Sequence, residues 1–221
     1  MARDARRAQV LAVAQRLFAR EGFHHVSMDD IAERAEVSKP VLYRHFPSKL
    51  DLYLAVVDQR GEALVTAIDD ALAIVAEGDP QTGRAVVRAI VRAYVEFVEN
   101  AGESSSLLFE SDVTHDSDVR TRVDQASDEA ARAICRGLRE LAGLAPEQAE
   151  LLSTALVGMA RVAATSRYRS QEVSVEDAVE LVTQLAWRGV AGLVRDPSDS
   201  AGSLAEPGAE GSAAAGVPAA E

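Results

Sequence analysis

The sequence predicts an all-α fold, and three observations carry the prediction. Apolar residues recur along most of the chain at i, i+3, i+4 and i+7, the spacing of one helical face. Ser27 is followed by Asp30 and Ser174 by Asp177, a serine and an acid three apart that mark helix starts. Hydrophobic residues make up 48% of the chain but aromatics only 5%, which suits helices of Ala, Leu and Val. The elements taken together give about nine helices. They divide into an N-terminal three-helix head of the helix-turn-helix type, residues 1–50, and a helical-bundle body, residues 51–196.

In the head, a first helix over residues 4–21 places Val10, Leu11, Ala14, Leu17 and Phe18 on one face and Arg6, Arg7, Arg16 and Arg20 around it. Gly22 ends it, and Phe23 and Val26 are expected to pack beneath the next two helices. Ser27 caps a short second helix, whose apolar face begins at Ile31 and Ala32. The chain turns at Ala35-Glu36-Val37, and Ser38 is placed to cap a third helix over residues 39–46. Pro40 is tolerated there because first-turn N–H groups have no intrahelical partner, and Pro47 stops the helix. In this motif the second helix of the pair lies in the DNA major groove.

The body opens with one long helical pattern from residue 48 to about 76, with Gly61 as a candidate kink. It starts in the head and ends in the body, so it is the lever between them. Gly78-Asp79-Pro80 closes it. Over residues 82–100, charges recur at Arg84, Arg88, Arg92 and Glu96 among residues that are otherwise nearly all apolar, the pattern of a central, mostly buried helix. Residues 101–106 read as a turn-rich break, Leu107-Leu108-Phe109 as a short apolar turn, and 111–118 as a polar loop. Helices follow over residues 119–141, 147–169 and 174–194. The last two carry Ala155, Gly158, Ala160, Ala163, Ala164 and Gly189 on contact faces, and Leu181, Leu185 and Ala186 are expected to face inward. Small residues allow close approach, so this pair is the candidate dimer seam, although packing within the chain is the simpler alternative. Residues 197–221 hold no Lys or Arg and only Leu204 and Val217 as large apolar groups, which predicts an acidic disordered tail.

A formal charge of −12 argues at first against nucleic acid. Residues 1–50, however, hold nine Arg/Lys against six Asp/Glu, net +3, while residues 51–221 hold fourteen against twenty-nine, net −15. Basic charge is therefore local, as expected of a small DNA-contacting head on an acidic body. Lys39, Tyr43, Arg44, His45 and Lys49 crowd donors onto the third helix and its flank, while Val37, Leu42 and Phe46 fall on its inner face. No long apolar run or signal core is present and Cys135 is the lone cysteine, so a cytoplasmic protein that neither spans a membrane nor carries a disulfide is expected.

The head carries a specific resemblance. Leu17-Phe18-Ala19-Arg20-Glu21-Gly22-Phe23, then Ser27-Met28-Asp29-Asp30-Ile31-Ala32, then Val37-Ser38-Lys39-Pro40-Val41-Leu42-Tyr43-Arg44-His45-Phe46-Pro47-Ser48-Lys49, resembles the N-terminal domain of the TetR (tetracycline-repressor-type) family. The resemblance implies a homodimeric one-component transcriptional regulator with a ligand-binding C-terminal domain. It implies that Ser38, Lys39, Pro40 and Val41 face base edges, and that Tyr43, His45, Lys49 and Ser27 meet phosphates. Lys39 can reach a guanine edge and Val41 a thymine methyl. More loosely, Leu108-Phe109-Glu110-Ser111-Asp112 with Val119 and Val123, and Ala186-Trp187-Arg188-Gly189, are similar to a subgroup that includes mycobacterial regulators of fatty-acid synthesis. That similarity implies a long-chain acyl effector within the bundle.

Bundle cores are where helical proteins hold ligands, so Tyr94, Phe97, Leu107, Leu108, Phe109, Val123, Leu156 and Met159 are candidate pocket lining. Each has an ordinary core role as its alternative. Arg161 could pair with an effector carboxylate or phosphate, or with a nearby acid. Asp112, His115, Asp116 and Asp118 raise a metal reading, for which a solvated cap is the better account. The sequence holds no nucleophile elbow, phosphate loop or dinucleotide fingerprint, so neither catalysis nor a cofactor is expected. Cys135 reads as a small buried apolar group. A repressor that leaves a palindromic operator on binding a largely apolar effector follows, with an activator of lipid metabolism, or a helical ligand carrier that binds no DNA, as the alternatives.

Overall fold

The structure, a computed structural model, describes residues 3–77, 83–109 and 116–190. Nine α-helices and a 3-10 turn account for nearly all of these residues. The head comprises α1 (Arg3–Glu21), α2 (Met28–Arg34) and α3 (Lys39–His45). The body comprises α4 (Lys49–Glu77), α5 (Gly83–Ala101), α6 (Ser106–Phe109), α7 (Ser117–Glu140), α8 (Pro146–Ser170) and α9 (Val175–Val190). The predicted closing turn at Gly78-Asp79-Pro80, the 111–115 loop with Asp112 and His115, residues 191–194 and the acidic tail lie outside the described residues.

Four helices form the frame of the body. α4 packs on α5 and α7, and α8 packs on the far sides of both, while α9 lies along α5 and α8. Gly61 on α4 explains part of this frame. The helix continues through it as one element. A Cβ there would stand 2.8 Å from the Ala126 Cβ of α7, and one at Gly137 would stand 2.8 Å from a Leu72 methyl. One glycine on each helix therefore lets α4 and α7 approach closely.

Along α5, the apolar majority is buried, including Ile90, Val91, Tyr94 and Val98. Its charged stripe faces α9. Arg92 donates to Glu176 at 2.7 Å, Arg88 reaches the same carboxylate, and Arg84 reaches Glu180. Hydrogen bonding from Arg92 holds the Glu176 carboxyl below its usual range. Each such pair is weak at a surface, but a row of them sets the register of α9 on α5.

Past α5, the expected break at 101–106 is a left-handed glycine followed by a 3-10 turn. Gly102, at φ 56°, redirects the chain into the 3-10 turn Gly102–Ser105. Ser104, Ser105 and Ser106 hydroxyls donate back to the carbonyls of Ala101, Gly102 and Glu103 at 2.6–2.8 Å, satisfying groups that a helix end leaves open. The turn docks on the head, where Gln15 Nε2 donates to Ser104 Oγ at 3.0 Å. The head thus meets the body through α4, through this turn and through α6.

Candidate nucleic-acid interface

The local chemistry of the head fixes its geometry. Ser27 and Asp30 form a reciprocal capping box: Asp30 N donates to Ser27 Oγ at 3.1 Å and Ser27 N to Asp30 Oδ2 at 2.9 Å. Donation from the Ser27 hydroxyl to Asp30 Oδ2 at 2.6 Å, and then from Ser27 N, holds the Asp30 carboxyl below the usual range. The turn between α2 and α3 places Glu36 at φ 52°, a left-handed conformation that a side chain rarely adopts. Gln9 of α1 donates to the Ala35 carbonyl at 3.0 Å and braces that turn. Beneath α3, Leu42 and Phe46 are buried against Ile31, Phe18 and the rest of the head core, and the Arg7 guanidinium lies 5.2 Å from the Phe46 ring centroid.

With the inner face of α3 anchored, the other side chains stand outward. Ser38, Lys39, Pro40, Tyr43 and Arg44 are exposed, and Val41 and His45 are half-buried. Ser38 occupies the N-cap position of α3, but its hydroxyl makes no capping bond, contrary to its expected capping role. It is left available to a ligand. Ser38, Val41, Arg44 and His45 line one concave patch together with Arg6, Glu36 and Val37. Arg6 was not singled out as an interface residue from the sequence, where it was one arginine among several on α1. Tyr43 projects from the far side with 46% exposure.

Two lysines are already engaged. Lys39 Nζ donates to Asp29 Oδ2 at 2.7 Å, and that bond raises the lysine above its ordinary range. An acid on α2 therefore competes for the residue expected to read bases. Lys49 Nζ donates to the carbonyls of Phe23 and Val26 at 2.8 and 2.9 Å and sits 4.3 Å from the Phe23 ring centroid. It ties the loop after α1 to the start of α4, a structural duty that the sequence did not disclose. Ser27 is likewise occupied by its capping partner.

In the body, the candidate lining residues divide. Tyr94, Phe97, Leu107, Leu108 and Leu156 are buried, while Phe109, Val123, Met159 and Arg161 are half-buried at the edge of the same core. Phe109 meets Tyr94 at a centroid separation of 6.5 Å and Phe97 at 6.2 Å. The Tyr94 side chain is fully enclosed and its hydroxyl has no hydrogen-bond partner. Burial pushes that hydroxyl far above the ordinary phenol range, against a smaller opposing influence from the charge of Arg161. Asp116 caps α7 by accepting from the N–H groups of Asp118 and Val119. Among the described residues no cluster of three metal-ligating side chains occurs, and Cys135 is half-buried rather than buried. No described helix is long and apolar enough to cross a membrane.

The outer faces of α8 and α9 differ from the sequence reading. Leu181 and Leu185 do not face inward; they are 59% and 68% exposed. Leu151 and Val162 of α8 are 72% and 58% exposed. A Cβ at Gly158 or Gly189 would meet nothing within 4 Å. The pattern allowed two apolar faces on these helices, and periodicity alone does not say which one the chain covers.

A basic helix-turn-helix head on an all-helical, acidic body defines a DNA-binding transcriptional regulator. Residues 10–56 match the family of bacterial regulatory proteins known as tetR. The chain is 35% identical to the HTH-type transcriptional activator FasR of Mycolicibacterium smegmatis over 85% of its own length and 84% of that protein's. It is 38% identical to the HTH-type transcriptional regulator EthR of the same organism over 39% of each chain. A TetR-like transcriptional regulator from Rhodococcus sp. RHA1 superposes with a TM-score of 0.67 at 32% identity, covering 87% of this chain and 99% of that one. The chain belongs to the TetR family, whose members are transcriptional regulators rather than enzymes.

Proposed function

We propose that this protein is a cytoplasmic, ligand-responsive regulator that binds a palindromic operator as a homodimer. The observation that carries the reading is the outward row on α3: Ser38, Lys39, Val41, Tyr43 and Arg44 project from a helix anchored by Leu42 and Phe46. Two such helices must stand about 34–36 Å apart to enter successive major grooves. The uncovered apolar residues of α8 and α9 support pairing through those helices, because Leu151, Val162, Leu181 and Leu185 form faces that a single chain leaves in water. Ser38, Lys39 and Val41 read base edges, and Tyr43, Arg44, His45 and Arg6 hold phosphates. Lys49 and Ser27 contribute chiefly by holding the head together.

The effector enters the body core at Tyr94. It is largely apolar, to suit Phe97, Leu107, Leu108 and Phe109, and it carries an acceptor oxygen for the orphan hydroxyl. An acyl compound meets both demands. Binding favours a conformer in which α4 moves the heads off the operator spacing; a hundredfold loss of DNA affinity needs about 2.7 kcal/mol of differential binding. On this basis the protein is a repressor. The relative sharing 35% identity is named a transcriptional activator, which favours the opposite sign as a second reading with the same DNA contacts. Fluorescence anisotropy on fragments of the protein's own promoter region tests the core of the proposal: specific, salt-sensitive binding is expected, and its absence on every fragment overturns it. Transcription in vitro from the bound promoter, with and without the protein, decides the sign.

A further inference from the structure

Apart from the Tyr94 core, a groove of about 470 Å³ runs between α4 and α5 and opens to solvent. Ala63, Ala67 and Ala71 of α4 and Phe97 of α5 line it, and Ile74 stands along it with 72% exposure. The α4 residues fall at i, i+4, i+8 and i+11, one continuous helical strip of small and apolar side chains. Arg60 continues the strip toward the head, also lining the groove.

Arg60 is unlike the other arginines that lie along α4. Arg122 of α7 holds Asp58 at 2.9 Å, and Arg136 holds Asp69 at 2.9 Å. Arg60 meets no carboxylate among the described residues, and its Nε is removed from water with no hydrogen-bond partner. Burial disfavours its charge, which nothing nearby offsets. The acids that border the groove do not serve it. Glu96 is engaged by Arg92 at 3.1 Å, and Asp70 lies ten residues along the helix from Arg60, about 15 Å away.

The geometry points to a second small-molecule site here, for a monocarboxylate with an extended apolar tail. The carboxylate would take a forked pair of hydrogen bonds from the Arg60 guanidinium, including the orphan Nε–H, and the tail would lie on the alanine strip against Phe97 and Ile74. A single negative charge matches the single unpaired guanidinium, since Arg92, the other cation lining the groove, is already held by Glu96 and Glu176. The site requires neither DNA binding nor the Tyr94 core, so it stands or falls separately from the function proposed above.

Calorimetric titration of the full-length protein with decanoate, and with 1-decanol as the uncharged counterpart, tests the site. Decanoate is expected to bind the native protein, with affinity reduced about tenfold or more in Arg60→Gln, consistent with loss of a charge-assisted pair. Decanol binding should be weaker and indifferent to Arg60→Gln. The variants are compared in a Tyr94→Phe background, where acyl binding in the core is weakened and the Arg60-dependent binding should persist. There Ala67→Trp fills the groove without touching the arginine and should abolish the Arg60-dependent binding, and it carries the test if Arg60→Gln fails to fold. The inference is overturned if, in that background, decanoate affinity survives Ala67→Trp or is unchanged by Arg60→Gln, since the ligand then lies elsewhere. It is also overturned if light scattering shows self-association that Ala67→Trp removes, since a second copy then fills the groove.

Discussion

The head and the body of this protein hide their function in opposite ways. In the head, the groups that act stand outside a small core, and each is held by bonds that local sequence dictates. The box of Ser27 and Asp30 starts α2, Pro47 ends α3, and Leu42 and Phe46 bury one side of it. What remains must project. In the body, the groups proposed to act are inside, among side chains of the same chemical kind as ordinary core, and Tyr94 stands apart only by an unmet hydrogen bond that it shares with Thr183. The outer function proposed for it, pairing, rests on apolar residues that the chain leaves uncovered. A motif therefore reveals the head, whereas the body is revealed by what is missing around its groups.

The largest effect expected from disturbing this contrast comes from the uncovered face. Leu185→Asp replaces a 68% exposed leucine and leaves the fold of the single chain intact. If α8 and α9 form the seam, the charge is buried in the pair and the dimer is lost. Light scattering should then report a monomer with native circular dichroism, and operator affinity should fall by about two orders of magnitude or more, because each half-site must be held alone. A dimer that persists at micromolar concentration would move the seam elsewhere.

Next in size are the contacts on α3. Tyr43→Ala should weaken DNA binding about tenfold on all sequences alike, the loss of one positioning contact. Lys39→Ala should instead narrow the gap between operator and unrelated DNA. The pair of Lys39 with Asp29 adds a sharper expectation. Asp29→Asn removes a carboxylate that faces incoming phosphates and frees the lysine, so non-specific affinity should rise by roughly threefold and the salt dependence should steepen. Unchanged binding in anisotropy titrations would mean that Lys39 keeps its acid on DNA. Lys49→Ala is a poor probe of phosphate contact here, since it also releases the carbonyls of Phe23 and Val26 and loosens the head.

A smaller effect distinguishes Tyr94 from a plain core residue. A buried hydroxyl without a partner costs about 1–3 kcal/mol. Tyr94→Phe should therefore raise the stability of effector-free protein by about 1 kcal/mol, or roughly 2–4 °C in melting temperature for a chain of this size. The same change should weaken the hold on any acyl compound that native mass spectrometry finds with the purified protein. A drop in melting temperature would mean that the hydroxyl already has a partner and that the core is not a binding site.

The same contrast explains what the sequence disclosed. Local rules reached the helix bounds that fall among the described residues to within a residue or two, the capping box, and the anchored face of α3, because each depends on residues three or four apart. They did not reach Gln15 on Ser104, the α5–α9 row of ion pairs, or Lys49 on two carbonyls, since those partners are 89, about 90 and 23–26 residues distant and any exposed donor looks alike in one dimension. Gly61 illustrates the ambiguity. A glycine inside a helical pattern marks a bend, a close neighbour or both, and only the position of Ala126 reveals the neighbour. Leu181 and Leu185 illustrate it again, because a helix apolar on two sides does not say which side its own chain covers.

The smallest effect lies at the turn that joins the two reading helices. Glu36 holds φ 52° between α2 and α3, and a side chain in that region costs about 1 kcal/mol or more where glycine pays nothing. Glu36 N still donates to the Glu33 carbonyl at 3.0 Å and Val37 N to that of Ala32 at 3.0 Å, so the turn is enforced by the helices on either side. Glu36→Gly should keep both bonds and relieve the strain. The gain should be somewhat under 1 kcal/mol, because glycine also has more freedom to lose from the unfolded chain. It also removes an acid from the concave patch beside Arg44, so DNA affinity should rise slightly together with stability. A head that melts earlier with glycine would show that the Glu36 side chain contributes a contact worth more than the strain it imposes. Circular dichroism melts of the full-length protein and of Glu36→Gly, run side by side with anisotropy titrations, separate the backbone effect from the electrostatic one.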